Sequence, residues 1–281
     1  MKILVFGSGG QLGEAFVRYF KQEGISCQAL DHKGCDITSV DSLRAVIEDV
    51  RPDLIINCAA YNLVDAAEDN SSLAFAVNGD APRLIAGICA ERKIRMVHFS
   101  TDYVFDGRKG APYVEGDLTG PLNVYGASKL EGEKAVLQAS ADHLVFRTSW
   151  VFGRGVRNFL HNIDQWAQKS DTLKIAEDEI SVPTFTDTIV KTSYRALKTG
   201  LKGLYHLTNS GQASRYELTV AYLKAKGIKG KTVIPVPRLS FGLKTKRPGY
   251  SVMSSSLLGK TLGLDIPRWE EDLEFFAAQS L

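Results

Sequence analysis

The sequence predicts an α/β fold: a Rossmann-type doubly wound parallel sheet with a smaller C-terminal α/β substrate lobe. Short apolar runs alternate with amphipathic helical stretches from the N-terminus to about residue 150, as buried parallel strands and their crossovers do. The first run meets Gly7-Ser8-Gly9-Gly10-Gln11-Leu12-Gly13 and then a helical pattern. Strand, glycine turn and helix in that order open a dinucleotide-binding unit. Further on, Tyr125 and Lys129 stand four residues apart, on one face of a helix and one turn from each other.

Taken in order, residues 2–6 are the first strand and the helix after the turn runs to about Gln22. Gly7 permits the tight turn, Gly10 lets the backbone approach a pyrophosphate, and Gly13 allows close helix–strand packing. The helix start at Gln11 and Leu12 offers free N–H groups and a positive dipole to phosphates. A second strand over 26–30 ends at Asp31, where this fold contacts the adenosine ribose, and His32 and Lys33 follow. Asp31 suits a free 2′-hydroxyl, while His32 and Lys33 suit a 2′-phosphate, so NADPH or NADH is expected, with NADPH preferred. Asp36-Ile37-Thr38 comes before a helix over 40–50 that Pro52 stops. Asp36 is placed either to reach the adenine or to end a turn.

A strand over 54–57 leads into Cys58-Ala59-Ala60-Tyr61, whose small residues allow a ligand to pass close or simply pack tightly. Helical stretches follow through 74–92, with Asn78 between them. A strand over 96–100 then reaches Thr101. A hydroxyl at that strand end, ahead of the Tyr125/Lys129 helix, either completes a three-residue acid–base arrangement or only caps a loop. Residues 144–148 are expected as the sixth strand. After Trp150 the alternation weakens, with helices expected over 158–169, 186–198, 214–226 and 269–278 and short strands over 204–207 and 233–236. The expected division is a dinucleotide-binding domain over 1–150 and a substrate-binding lobe over 151–281, interleaved with the sheet.

Hydrophobic content of 44%, charge of 23% and a net charge of +2 are ordinary for a soluble protein. The densest basic run, Lys244-Thr245-Lys246-Arg247, is too short for a nucleic-acid footprint. No apolar run approaches ~20 residues, so no membrane span is expected. The N-terminal run breaks at Gly7, too early for a signal sequence. Cys27, Cys35, Cys58 and Cys89 lack C-x-x-C spacing, and read as reduced thiols of a cytoplasmic protein rather than zinc ligands. A free phenol has a pKa of ~10, and a cation one turn away is expected to bring it down towards the range of a working proton donor. A snorkelling lysine on a plain amphipathic helix gives the same spacing.

Gly7/Gly10/Gly13, Asn57-Cys58-Ala59-Ala60, Thr101 and Tyr125/Lys129 resemble, in order and spacing, the motifs of the extended short-chain dehydrogenase/reductase family. Ser100-Thr101-Asp102-Tyr103-Val104-Phe105, Pro121-Leu122-Asn123-Val124-Tyr125-Gly126, Arg147-Thr148-Ser149-Trp150-Val151-Phe152 and Val182-Pro183-Thr184 narrow the resemblance to its sugar-nucleotide ketoreductases. Tyr205-His206-Leu207 and Arg247-Pro248 extend it nearly to the C-terminus. The resemblance implies NAD(P)H-dependent reduction of the 4-keto group of a nucleotide-linked 6-deoxysugar, with dTDP-4-dehydro-L-rhamnose as the expected substrate. It makes Tyr125 the proton donor and places Lys129 on the nicotinamide ribose. It sets Thr101 at the carbonyl oxygen, and Asp102, Trp150 and Arg247 against the sugar nucleotide. Some relatives bind magnesium at a dimer contact and Glu14 matches one such ligand, but the other ligands are not found, so no metal is expected; a homodimer is compatible with the resemblance.

Two departures bear on the sugar. Gly249-Tyr250-Ser251-Val252-Met253 stands where the family usually has an Asn-Ser-Arg-Leu-like run, and Arg215-Tyr216 where it often has Trp-Tyr. Two other readings stay open at this stage: an epimerase with tightly bound NAD, and a non-catalytic regulatory subunit resembling that of methionine adenosyltransferase. Dehydratases of the superfamily carry Thr-Asp-Glu, and here Tyr103 takes the place of the glutamate.

Overall fold

The computed structural model describes residues 1–155, 158–242 and 244–279. The chain opens with β1 (Ile3–Phe6), α1 (Gln11–Gln22), β2 (Cys27–Leu30), α2 (Val40–Val50) and β3 (Leu54–Asn57). β1 and β3 are buried throughout, as strands covered on both faces must be. The Ser39 hydroxyl caps α2 by accepting from the Ser42 N–H, and the left-handed Arg51 ends it just before Pro52.

Two short helices, α3 (Val64–Asp69) and α4 (Ser71–Phe75), pass through a π-turn at Ala76–Asp80 into α5 (Ala81–Arg92). Buried Asn78 accepts the Tyr61 N–H at 2.8 Å and donates to the Tyr61 carbonyl at 2.9 Å and the Ser128 hydroxyl at 3.1 Å. β4 (Arg95–Thr101), a 3-10 turn (Asp102–Val104), α6 (Val124–Ala139) and β5 (Leu144–Thr148) follow. Asn123 caps α6, its Oδ1 accepting the Gly126 N–H at 2.7 Å, and this fixes where Tyr125 enters the helix.

The second half begins with β6 (Val151–Phe152), α7 (Phe159–Lys169), β7 (Thr172–Ala176), β8 (Ile180–Ser181), β9 (Thr184–Phe185) and α8 (Thr186–Lys198). It continues with β10 (Gly203–His206), β11 (Ala213–Ser214), α9 (Arg215–Ala225), β12 (Thr232–Val236), α10 (Ser256–Leu262) and α11 (Trp269–Gln279).

The central sheet has the order β10-β5-β4-β3-β1-β2, every pair parallel. β5 is therefore the fifth strand and not the sixth that the sequence predicts. The sixth is β10, which crosses back from the second half to pair with β5. Phe16 of α1 and Ile189 of α8 pack on one face of the sheet. Ile47 of α2, Ile85 of α5 and Val136 of α6 pack on the other. The chain steps from β1 outward to β2, then back past β1 to β3, so the strand order reverses between β1 and β3. Ligands of open α/β sheets sit beyond the carboxyl ends at such a reversal. The two-stranded pairs β7–β12, β6–β9 and β8–β11 stand outside the central sheet. A separate core there gathers Phe152, Phe185, Tyr222, Trp269 and Phe276. Among the described residues no helix is long and apolar enough to cross a membrane.

Candidate active site

Gly7 follows β1, and its φ of 77° favours glycine. A Cβ there would lie 2.5 Å from the Ala59 nitrogen, so β1 and β3 approach at their carboxyl ends only because the side chain is missing. A Cβ on Gly13 would lie 2.2 Å from the Gly7 carbonyl oxygen, so α1 packs onto the turn as the sequence predicts. Gly10 is the N-cap of α1 and places no side chain over the first-turn N–H groups. Gly7, Gly10, Gln11 and Leu12 all border one cleft of about 670 Å³.

Asp31, His32, Lys33, Asp36 and Ile37 border the same cleft. Both acids also shape their own turns. Asp31 Oδ1 accepts the N–H groups of Lys33 at 2.9 Å and Gly34 at 3.1 Å, which holds its carboxyl below the ordinary range. Asp36 Oδ1 accepts the Thr38 hydroxyl at 2.7 Å and its N–H at 2.9 Å, with the same effect. Ala59 and Ala60 line the cleft at the end of β3, together with Asn62. Tyr61 is not among the lining residues; its backbone is bound to Asn78.

At its other end the cleft reaches Thr101, Asp102, Tyr125, Lys129 and Trp150. Burial pushes the Tyr125 phenol up to about 12; the Thr101 hydroxyl works against this, and the Asp102 charge adds to it. Lys129 Nζ donates to the Phe99 carbonyl at 2.5 Å, and burial lowers its ammonium to about 8 against the opposing pull of Glu133 and Cys58. The spacing predicts an ammonium that draws the phenol down, and here the geometry differs. The ammonium is tied back to β4, and the phenol stays protonated at neutral pH. Protonated is the form that a proton donor needs.

Thr101 Oγ1 donates to Asp102 Oδ1 at 3.1 Å and accepts the Tyr103 N–H at 3.2 Å. Asp102 Oδ2 accepts the hydroxyls of Ser181 at 3.0 Å and Ser251 at 2.5 Å. The carboxylate thus borders the cleft with three hydroxyls already on it, and it ties Thr101 to β8 and to the run after Pro248. Tyr103 packs edge-on to the Tyr125 ring at 5.7 Å. Trp150 has a φ of 39°, a strained conformation for a bulky residue.

Arg247 lies away from this cleft. Its Nη2 meets Asp65 Oδ2 at 2.6 Å, and its side chain lines a second cavity, also of about 670 Å³. Phe159, Trp166, Ile175 and Phe241 give that cavity its apolar walls. Lys169, Lys174 and Arg215 join Arg247 as its cations, with Glu179 as its acid.

Phe99, Ser100, Thr148 and Ser149 also line the cleft; the last three lie in motifs that carry the resemblance, but the sequence assigns none of the four a contact there. Ser100 and Thr148 each hold a buried hydroxyl without a partner among the described residues. Their signal is position: they stand at the carboxyl ends of neighbouring strands, β4 and β5. A turn that only glycine can fill at one end and orphaned hydroxyls at the other fit an extended dinucleotide.

Fold and site together define a dinucleotide-dependent oxidoreductase of the short-chain dehydrogenase/reductase class. The chain belongs to the family described as RmlD substrate binding domain, which matches residues 1–281. It is 36% identical to the dTDP-4-dehydrorhamnose reductase of Burkholderia thailandensis, over 96% of this chain and 95% of that protein. It is also 36% identical to the dTDP-4-keto-6-deoxy-D-glucose reductase of Streptomyces niveus, over 89% of this chain and 87% of that protein. The crystal structure of dTDP-4-dehydrorhamnose reductase from Bacillus anthracis in complex with NADP matches with a TM-score of 0.95 and 32% identity, covering 99% of each chain.

Proposed function

We propose that this protein is an NADPH-dependent ketoreductase that converts dTDP-4-dehydro-L-rhamnose to dTDP-L-rhamnose in the cytoplasm. The observation that carries the reading is that Thr101, Tyr125 and Lys129 meet at one end of a cleft whose other end is the glycine turn. The relatives favour reduction over the epimerase and regulatory-subunit readings.

The bound cofactor, NADPH or NADH, supplies the hydride. Gly7, Gly10 and the first turn of α1 would hold its pyrophosphate. Asp31, His32 and Lys33 would meet the adenosine ribose, with His32 and Lys33 available to a 2′-phosphate. Lys129 would hold the nicotinamide ribose, and Ser100 and Thr148 bring unused hydroxyls to the same end. Tyr125 holds the proton at its Oη and delivers it to the substrate's C4 oxygen. Thr101 orients that oxygen, and Asp102 with Ser181 and Ser251 keeps Thr101 in place. Residues 1–150 serve the dinucleotide, and 151–281 serve the substrate while lending β10 to the sheet. The second cavity suits the nucleoside diphosphate, its aromatic walls taking the base and Arg247, Lys169 and Lys174 the phosphates.

Incubation of the purified protein with NADPH and a panel of nucleotide-linked 4-keto-6-deoxysugars tests this, with NMR of the product. NADPH should be consumed fastest with dTDP-4-dehydro-L-rhamnose, and dTDP-L-rhamnose should form. The 4-epimer as product, or faster turnover of a GDP- or UDP-sugar, removes the substrate assignment. Absence of turnover with every 4-ketosugar removes the reductase reading.

A further inference from the structure

The guanidinium of Arg215 stands between the two cavities. Its central carbon lies 3.5 Å from the ring centroid of Trp150, which borders the cleft, and 4.6 Å from that of Phe159, which borders the second cavity. A planar cation between two aromatic faces is held in one orientation by both. Its donors are nevertheless unused. Among the described residues the side chain makes no hydrogen bond, and its nearest carboxylate, Glu179, stands 4.0 Å from Nε. Arg247 lines the same cavity, its like charge acts against Arg215, and its own Nε is buried without a partner. Arg215 is also the first residue of α9, where the helix dipole disfavours a cation. Two guanidinium groups and the start of a helix converge on one wall, where Glu179 stands 4.0 Å from Arg215 Nε and Asp65 pairs with Arg247 through Nη2. An anion placed there would meet the open donors of Arg215.

We infer that Arg215 is a specificity-determining residue, whose free Nη donors take the diphosphate that joins the sugar to the nucleoside. The inference rests on the sugar-nucleotide reading above and adds a contact to it. A substrate with its sugar at Tyr125 and its nucleoside between Phe159 and Phe241 must carry its diphosphate past the boundary that Arg215 forms. The forked guanidinium matches two phosphate oxygens, which a lysine in the same place cannot do. Through its stack on Trp150, the same contact reaches the wall of the sugar site. Diphosphate recognition and the placing of the indole therefore depend on one side chain.

The test is calorimetric titration of the full-length protein with dTDP, with thymidine and with NADPH, in the wild type, Arg215→Gln and Arg215→Lys, beside the KM for the dTDP-sugar. Arg215→Gln should weaken dTDP by about 10–100-fold, the loss of a charge-assisted hydrogen bond. Arg215→Lys should lose less in the same direction. Thymidine and NADPH affinities should stay at wild-type values in both variants, and the KM for the dTDP-sugar should follow the dTDP affinity. If Arg215→Gln does not fold, Arg215→Lys decides through the same contrast between dTDP and thymidine. Wild-type protein that reduces the dTDP-sugar while the variants keep its dTDP affinity overturns this assignment alone. So does an equal loss for dTDP and thymidine. Wild-type protein that binds no nucleoside diphosphate overturns the sugar-nucleotide reading, and this inference with it.

Discussion

Replacing Lys129 by methionine separates what the ammonium does for the reaction from what it costs the fold. Burial lowers this ammonium from an ordinary value of 10.5 to about 8, and the residue is only 3% exposed, so solvent screens little of the effect. Between those two values the unfolded chain holds the proton and the folded chain has released it. The unfolded state then binds more protons, so wild-type stability rises as pH climbs through that window. At 1.36 kcal/mol per pH unit, the drop from 10.5 to about 8 corresponds to about 3 kcal/mol. Methionine carries no proton and lacks the dependence. The stability of the wild type relative to Lys129→Met should therefore improve by about 3 kcal/mol from about pH 7 to about pH 11. Urea unfolding of both proteins across this range measures it, and the subtraction removes the tyrosines and other groups that titrate alike in both. A difference that does not move with pH would refute the argument that a charged Lys129 is destabilised by its surroundings. The variant's turnover should fall and its NADPH affinity weaken at every pH.

Three further outcomes follow from the same geometry. Glu133 holds Arg147 at 2.9 Å and 2.5 Å with both side chains under 5% exposed, so Glu133→Gln should lower stability by about 3–5 kcal/mol in urea unfolding. Gly13→Ala should lower the thermal midpoint and weaken NADPH binding, because its methyl would fall 2.2 Å from the Gly7 carbonyl oxygen; a calorimetric scan and an NADPH titration read both. Lys33→Glu should shift the ratio of kcat/KM for NADPH over NADH towards NADH by about tenfold, as a charge-assisted contact to the 2′-phosphate is lost; an unchanged ratio places the phosphate elsewhere.

The first half of the fold is legible in the sequence because its determinants are local. β1 and β3 are continuous apolar runs, Gly7 and Pro52 punctuate them, and Ser39 and Asn123 cap their helices through neighbours three residues on. The second half is set by pairings across the chain. β6 and β9 are two residues each, and β8 is held by distant segments, β11 and the backbone at Tyr250. β10 reads as a short lobe strand until β5 receives it. The site divides in the same way. The glycine turn, Thr101, Tyr125 and Lys129 come from motifs at fixed spacing, and the structure brings them to one cleft. Helical spacing gives the face that Lys129 shares with Tyr125, but not how far the ammonium reaches; it reaches Phe99, thirty residues back. Two of the three hydroxyls on Asp102 come from 79 and 149 residues away, and Arg247 finds Asp65 across 182, so no local pattern encodes those contacts.

The most direct measurement of the central claim is turnover of dTDP-4-dehydro-L-rhamnose by Tyr125→Phe beside the wild type, with NADPH affinity measured on the same preparations. The phenol is the only group in the Thr101–Tyr125–Lys129 arrangement assigned to give up a proton, and it borders the cleft. Loss of a positioned general acid typically lowers the rate by roughly 10²–10⁴-fold. The account predicts a fall in kcat of that size with NADPH affinity retained. Near-wild-type turnover in Tyr125→Phe, with the product still dTDP-L-rhamnose, would contradict it.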